Sequence, residues 1–186
     1  MNASGFLGGI HMKKILIVVD MQKDFVDGAL GTPEAVAIVD NVVNKINSFE
    51  GNIIVTYDTH FEDYMDTREG KNLPVPHCIK ETDGWKLDAK VQDALFGKEY
   101  IELEKPTFGS ILLPEIIEDL AGEEEFEIEL IGLCTDICVV SNAMVLKAHY
   151  PEVSIKVDAS CCAGVTPETH DAALMTMKMC QIEVVE

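Results

Sequence analysis

Basic residues are scarce in this chain. Lys and Arg together number 14 against 33 Asp and Glu, so the formal net charge is -19 at pH 7. Such an excess of negative charge repels the phosphates of nucleic acids and of anionic lipids at long range. The composition therefore argues against nucleic acid and membranes as partners, and it leaves small neutral or cationic ligands open.

Long hydrophobic runs are also absent. No apolar stretch approaches the roughly 20 residues that a membrane-spanning helix needs. Hydrophobic residues make up 47% of the sequence and charged residues 25%, which is typical of a soluble globular protein. Internal repeats and low-complexity linkers are missing as well. A chain of 186 residues is long enough to form one domain with a core of its own.

The N-terminal segment lacks the basic residues that begin a secretory signal peptide, and its apolar portion is short and rich in glycine. We interpret residues 1–11 as an added leader and expect a single natural domain over residues 12–186. Without an export signal, the six cysteines are expected to be thiols in the reducing cytoplasm rather than a disulfide framework.

Short runs rich in Ile and Val alternate with amphipathic stretches along the chain. The runs predict buried strands at residues 14–19, 51–57, 100–105, 127–133, 153–158 and 182–185. The two clearest helices begin with Thr followed by Pro, at Thr32 and Thr166. This alternation predicts a three-layer α/β/α Rossmann-like fold with a mostly parallel sheet of about six strands. In such folds ligands bind beyond the carboxyl ends of the strands.

Two charged residues stand where strands are predicted to end. Asp20 follows an apolar run directly, and the resulting desolvation raises its pKa toward the range of a proton carrier. Lys105 closes the run at residues 100–105, just before Pro106. Taken alone, Asp20 also fits an aspartate that caps a turn, and Lys105 also fits an ordinary surface lysine. Placed together, the lysine would hold the carboxylate ionised and would favour a neighbouring thiolate.

The stretch LIGLCTDICVVSNA, residues 130–143, contains two cysteines four residues apart. Cys138 is predicted to lie in the first turn of a helix, where unpaired N–H groups and the helix dipole lower a thiol pKa. Cys134 lies at the strand end and is interpreted as a small hydrophobic residue lining the turn. A buried inert thiol is the alternative for each cysteine alone. With Asp20 as base and Lys105 as electrostatic support, Cys138 forms an activated nucleophile set.

The sequence resembles the isochorismatase-like cysteine hydrolases over nearly its whole expected natural length. The motifs that carry the resemblance are VVDMQKDF (residues 18–25), GLCTDICV (132–139) and AGVTPETHDAAL (163–174), with a lysine at the end of the third strand. The resemblance implies the isochorismatase-like fold and a catalytic triad of Asp20, Lys105 and Cys138. It also implies an oxyanion hole formed by the backbone N–H groups of Cys134 and Cys138, and a cis peptide bond between Leu133 and Cys134.

A second set of residues suits a metal ion. Asp58 and His60 follow the second predicted strand two residues apart, so in an extended segment their side chains point the same way. His77 lies in the next loop, although histidines in loops are also common on surfaces. The D-x-H and P-x-H-C patterns resemble the nicotinamidase branch, which implies a metal at these three residues with Glu69 as a candidate fourth ligand. Zinc is favoured, with manganese or iron as alternatives.

The activity implied is hydrolysis of a small amide, with nicotinamide to nicotinate and ammonia as the leading reaction. Phe25, Trp85 and Phe108 are candidate walls for a ring, with core packing as the alternative for each. Leu73 stands where many nicotinamidases have an aromatic residue, so an N-carbamoyl or ureido substrate is an alternative. The alternative from a different functional class is a metal-binding or redox-responsive protein that catalyses no reaction. The expected partners are the small-molecule amide and, because relatives are often dimers or larger, further copies of the chain.

Overall fold

Six parallel strands form the central sheet of the computed structural model, which describes residues 12–186. The strands are β1 (Lys13–Val19), β2 (Asn52–Asp58), β3 (Tyr100–Lys105), β4 (Phe126–Leu133), β5 (Ser154–Ala163) and β6 (Glu183–Val185). Their order across the sheet is β3-β2-β1-β4-β5-β6. The leader predicted for residues 1–11 lies outside the described residues.

Helices connect the strands. They are α1 (Lys23–Val26), α2 (Pro33–Ser48), α3 (Arg68–Asn72), α4 (Ala89–Leu95), α5 (Leu113–Ala121), α6 (Val140–His149) and α7 (Pro167–Met179), with a 3-10 turn at Tyr64–Asp66 and a π-helical turn at Thr135–Val139. The two longest begin as predicted, since Thr32 Oγ1 accepts from Ala35 N and Thr166 Oγ1 accepts from Thr169 N. No helix between residues 12 and 186 is long and apolar enough to cross a membrane.

Alternate side chains of β1 enter two separate cores. Leu16 and Val18 pack with the apolar sides of α2 and α4. Ile15, Ile17 and Val19 pack on the opposite face with residues of α5, α6 and α7. A strand that is apolar on both faces belongs to a parallel sheet covered by helices on both sides. The predicted three-layer α/β/α fold is therefore confirmed.

Strand β5 is longer than the sequence pattern indicates. It continues past its predicted end at Asp158 as far as Ala163, and Cys162 pairs with Gly132 of β4 after a register shift. The polar residues Asp158 and Ser160 interrupt the apolar run and hide this continuation. Their side chains satisfy each other, because Ser160 Oγ donates to Asp158 Oδ1 at 2.7 Å.

The chain order reverses between β1 and β4, which are neighbours at the centre of the sheet. In open α/β sheets the crevice beyond the carboxyl ends at such a switch point is the usual ligand site. Val19 of β1 is in register with Gly132 of β4, so the residues that follow these strands, Asp20 and Cys134, come close together.

Gly132 allows β4 to approach β1 closely at this edge. Its φ is +115°, and a Cβ at this position would collide with the Val19 carbonyl oxygen. Glycine is the residue that tolerates both conditions. The peptide bond between Leu133 and Cys134 is cis, as the resemblance implied. The chain then turns away from the sheet into the π-helical turn.

Candidate active site

Three candidate functional side chains meet at the switch point. Lys105 Nζ, at the end of β3, lies 2.6 Å from Asp20 Oδ2 and 3.5 Å from Cys138 Sγ. All three residues are buried, with at most 4% of their surface exposed. The structure thus brings together the three residues that the sequence analysis selected as a triad.

Asp20 is held in a fixed orientation by β2. Thr56 Oγ1 donates a hydrogen bond of 2.6 Å to Asp20 Oδ1, which leaves Oδ2 to face Lys105. Asp20 has a φ of +46°, in the left-handed region that aspartate occupies more readily than most residues. This backbone conformation follows directly on the last residue of β1, so it sets the position of the carboxylate at the edge of the sheet.

Burial governs the protonation states of the three groups. It raises the pKa of Asp20 above the ordinary aspartate value, against the opposing effect of the Lys105 ammonium. It also raises the pKa of the Cys138 thiol well above its usual value, and the Asp20 charge adds to this while Lys105 opposes it. Burial lowers the pKa of Lys105, but the charges of Asp20 and Cys138 outweigh it and place that pKa above normal. The resting site therefore holds a thiol beside a protonated lysine.

The expectation of a lowered Cys138 pKa is therefore wrong for the resting site. Cys138 lies in the π-helical turn that precedes α6 and is almost completely buried. Loss of hydration and the neighbouring Asp20 carboxylate raise the thiol pKa by more than a helix N-terminus lowers it. Proton transfer to Asp20, rather than a preformed thiolate, is what the arrangement can provide.

Hydrogen bonds connect the π-helical turn to the start of α7 and to the segment just before it. Thr135 Oγ1 and His170 Nδ1 share a hydrogen bond of 2.8 Å, and the Asp136 carboxylate accepts from Val165 N at 3.1 Å. These four residues had no predicted role. The signal was a polar Thr-Asp pair inside an otherwise apolar run.

Four side chains converge next to this site. One ligand atom each from Asp58, His60, Glu69 and His77 lies within 4.8 Å of the others. His60 Nε2 is 3.0 Å from Asp58 Oδ2, and His77 Nε2 is 3.5 Å from the same oxygen. Glu69 Oε1 completes the set at 3.5 Å from His60 Nε2. The four metal ligands suggested by the sequence therefore form one cluster.

The donor set fits a divalent cation. His77 Nδ1 lies 2.8 Å from Val75 O, and donation to that carbonyl leaves the Nε2 lone pair free on the side of the cluster. His60 Nε2 is buried yet has no hydrogen bond of suitable geometry among the described residues, although Asp58 is near. Two imidazoles with two carboxylates suit zinc, manganese or iron.

Two further polar side chains hold the segments with the candidate metal ligands in place. Gln22 is fully buried; its Oε1 accepts from Asp58 N at 2.8 Å and its Nε2 donates to Asp58 O at 2.9 Å. Asp24 Oδ2 accepts from Cys78 N at 2.8 Å, directly after His77. Their polarity just beyond an apolar strand was the signal that could have indicated these roles.

A small inner cavity of about 50 Å³ opens onto Cys138. Its wall consists of Phe25, Leu30, Asp58, Glu69, Leu73, His77, Phe108, Cys134, Ile137 and Cys138. Cys138 and three of the candidate metal ligands thus face one space, together with the predicted ring-binding residues Phe25 and Phe108. Burial raises the pKa of Cys134 to about 12, so this second cysteine contributes a neutral thiol to the wall.

Trp85, the third predicted wall residue, lies outside the wall of the inner cavity. Its ring packs on Tyr57 with 5.2 Å between ring centroids, and its Nε1 donates to Thr59 Oγ1 at 2.9 Å. Trp85 therefore supports the end of β2. Leu30 and Ile137 contribute to the wall instead, and as apolar residues they gave no signal that separates a substrate wall from a core.

The profile of the isochorismatase domain family matches residues 14–186. The chain belongs to the isochorismatase family. An isochorismatase family protein of Bacillus subtilis, PncA, is 31% identical over 174 residues, which are 88% of this chain and 93% of that protein. Family membership agrees with the resemblance drawn from the three motifs.

Solved structures of family members share the fold. The nicotinamidase/pyrazinamidase PncA from Bacillus subtilis has a TM-score of 0.78 at 29% identity, over 94% of this chain and all of that one. The pyrazinamidase of Pyrococcus horikoshii, in complex with zinc, has a TM-score of 0.78 at 26% identity, over 94% of this chain and 99% of that one. These relatives indicate an amidohydrolase.

In this isochorismatase-family chain the inner cavity continues into an outer groove of about 650 Å³. The outer groove is lined by Arg68, Glu69, Asn72, Leu73, Thr107, Phe108, Asp136, Ile137 and Ser141. Glu69, Leu73, Phe108 and Ile137 line both spaces and so form the boundary between them. Leu73 and Phe108 are 39% and 43% exposed, so these two boundary residues also face solvent.

Proposed function

We propose that this protein is a metal-assisted cysteine amidohydrolase that converts nicotinamide to nicotinate and ammonia. The observation that carries the proposal is the meeting of two sets of residues at one cavity. Lys105 links Asp20 and Cys138, and the candidate metal ligands Asp58 and His77 line the same space as Cys138. A thiol, a base and a metal set in one enclosed cavity suit attack on a small amide.

The first half of the proposed reaction forms a thioester. Asp20 removes the proton of Cys138 as the sulfur attacks the amide carbon, so a C–S bond forms and the carbonyl electrons move to oxygen. The oxyanion is stabilised by the backbone N–H groups of Cys134 and Cys138. Asp20 then gives its proton to the amide nitrogen, the C–N bond breaks, and ammonia leaves.

The second half restores the thiol. A water molecule gives a proton to Asp20 and attacks the thioester carbon, and the C–S bond then breaks to release the carboxylic acid. Cys138 recovers its proton from Asp20. The raised pKa of Asp20 suits this exchange, because a group that both takes and returns protons works best when its pKa is close to the operating pH. Lys105 keeps its positive charge and stabilises the negative charge shared by Asp20 and Cys138.

Asp58, His60, Glu69 and His77 would hold the metal ion. When bound, the ion would supply a positive centre that orients the ring nitrogen of the substrate and nearby waters. This chain's own residues complete the binding site. Phe25 and Phe108 offer apolar surface for the faces of a ring.

A second substrate class is favoured by one residue. Leu73 lies at the boundary between the inner cavity and the outer groove, where an aromatic side chain would fill more space. The groove would accommodate the longer body of an N-carbamoyl or ureido compound. The same triad would then cleave the terminal C–N bond and release ammonia.

Ammonia release from a small panel of amides tests the proposal. Zinc-loaded protein is offered nicotinamide, an N-carbamoyl amino acid and a simple ureido compound, each with and without prior chelation. Release from nicotinamide that chelation abolishes is the expected result. Release from the ureido or carbamoyl compounds alone assigns the second class. A protein that binds zinc tightly but releases ammonia from none of them is a binding protein, and the proposal is then wrong.

A further inference from the structure

Asn142 is a fully buried polar residue on α6, one helical turn beyond Cys138. Its amide makes three hydrogen bonds. Nδ2 donates to Cys138 O at 2.9 Å and to Phe108 O at 3.3 Å, and Oδ1 accepts from Ser110 N at 2.9 Å. One side chain therefore contacts both the backbone of the nucleophile and the loop that follows β3.

The helix itself does not require an asparagine at this position. Val139, Ala143 and Leu146 lie on the same buried side, and asparagine is a weaker helix former than alanine or leucine. Burying an amide is unfavourable unless its hydrogen bonds are made, and here both ends of the amide are satisfied. A polar group that is fully paired in an apolar setting fixes one arrangement of its partners.

The loop at residues 106–110 connects Lys105 to the residues that Asn142 holds. Its first part is bound to the triad, since Lys105 Nζ donates to Thr107 O at 3.1 Å. Its second part is bound to Asn142 through Phe108 and Ser110. The Phe108 side chain lines the inner cavity. The loop therefore places Phe108, a residue of the cavity wall, between Lys105 and the π-helical turn that contains Cys138.

We propose that Asn142 is a positioning residue that sets the place of Cys138 relative to Lys105 and the Phe108 wall. It touches neither the reacting atoms nor the cavity, so its effect passes through the Cys138 carbonyl and the loop backbone. The inference rests on the proposed function in taking Cys138 as the nucleophile. A shift of about 1 Å at a reacting group lowers a rate by about 100-fold, so a modest movement of the loop has a large effect.

Two variants remove the contacts of Asn142 to different extents. Asn142→Leu removes all three hydrogen bonds. Asn142→Thr keeps a hydroxyl that can bond the Cys138 carbonyl four residues back, but it cannot reach the loop. We expect both variants to lower kcat by about 10-fold to 100-fold and to raise KM. Zinc affinity should stay unchanged, because none of the metal ligands touches Asn142.

The matched control is Leu146→Ala, one turn further along the same buried side of α6. It removes core packing and lowers stability without touching the loop or Cys138. We expect it to lower the melting temperature while kcat per folded molecule is retained. If Asn142 has a merely structural role, the Asn142 variants will behave in the same way, and the inference is then wrong.

Hydrogen exchange on the wild-type protein gives a test that needs neither variants nor a substrate. The Ser110 amide is bonded to Asn142, and the Val139 amide is bonded to the Cys134 carbonyl. If Asn142 holds the loop and the turn together, both amides become exposed in the same opening event, and the opening free energies measured from their exchange rates are equal. Fast exchange at Ser110 with slow exchange at Val139 would show that the loop moves independently, which contradicts the inference even if no Asn142 variant folds. Wild-type protein that releases no ammonia would instead overturn the proposed function and leave this result standing.

Discussion

Asp58 and Lys105 are partners across β2 and β3, and Lys105 Nζ lies 3.7 Å from Asp58 Oδ1. Asp58 Oδ2 faces His60 and His77 at the same time. One carboxylate therefore joins the triad to the candidate metal cluster. The register of two strands, rather than any single loop, places the two sets of residues side by side.

Asp58→Asn tests this junction. The substitution keeps the size of the side chain but removes its charge, so it should weaken zinc binding by at least about 100-fold and abolish chelator-sensitive ammonia release. Zinc content after dialysis against a competing chelator gives the first readout. Asp63→Asn is the control, because Asp63 is an exposed acid in the following segment and lies outside the cluster. Equal zinc retention in both variants would contradict the assignment.

Lys105→Met tests how the lysine acts on the thiol. Lys105 lowers the raised pKa values of Cys138 and Asp20, so its removal should raise both further. The pH profile for alkylation of Cys138 by iodoacetamide, in chelated protein, should therefore move to higher pH, with slower reaction at pH 7 to 9. An unchanged profile would mean that Lys105 has no electrostatic role at the sulfur.

Leu73→Ala tests the boundary between the inner cavity and the outer groove. Removing the side chain widens the passage, so kcat/KM for amides larger than nicotinamide should rise relative to nicotinamide by about 10-fold. Met65→Ala is the matched control, because Met65 is a similarly exposed apolar residue that lines neither space. The same selectivity in Leu73→Ala and in the wild type would show that Leu73 does not limit substrate size.

Lys45 makes a testable contribution to stability far from the site. It forms ion pairs with Glu129 at 2.6 Å and Asp158 at 2.8 Å, on partners that are mostly buried. Burial raises the pKa of Asp158, but the bonds from Lys45 and Ser160 outweigh this and hold it below its ordinary value. The stabilisation from the Lys45–Asp158 ion pair is therefore fully present above the unfolded-state pKa of aspartate, about 3.9. It is lost as the pH falls through the lower folded-state pKa of Asp158.

Lys45→Met should accordingly lower the free energy of unfolding by about 2 kcal/mol at neutral pH. The difference from the wild type should shrink as the pH falls below about 4, because protonated Asp158 no longer needs the lysine. Urea unfolding over this pH range measures it. Lys90→Met removes an exposed pair with Asp40 and should change little at any pH. A difference that grows in acid would contradict the stated sign.

The sequence predicted those features that depend on local pattern. The strands follow runs of Ile and Val, and the caps at Thr32 and Thr166 mark where two helices begin. Asp20 and Lys105 were selectable because charged residues are unusual at the ends of such strands, and Cys138 because it lies in the turn that follows β4. The motifs around these residues also resemble a known family.

Features that depend on long-range packing could not be predicted in the same way. Trp85 faces Tyr57 rather than the inner cavity, and nothing local distinguishes these two environments for an aromatic ring. The raised pKa of Cys138 depends on complete enclosure and on Asp20, which lies far away in sequence. Asn142 was visible as a polar residue beside apolar ones, but two of its partners, Phe108 and Ser110, lie on a loop more than 30 residues earlier.

The most direct test of the central claim is ammonia release by Cys138→Ala compared with the wild type at matched zinc content. Zinc binding and the melting temperature serve to show that the variant is folded. The account predicts that the wild type releases ammonia from nicotinamide and that the variant releases none while it retains its zinc. A folded, zinc-loaded Cys138→Ala that releases ammonia at the wild-type rate would contradict it, because the metal rather than the thiol would then carry the reaction.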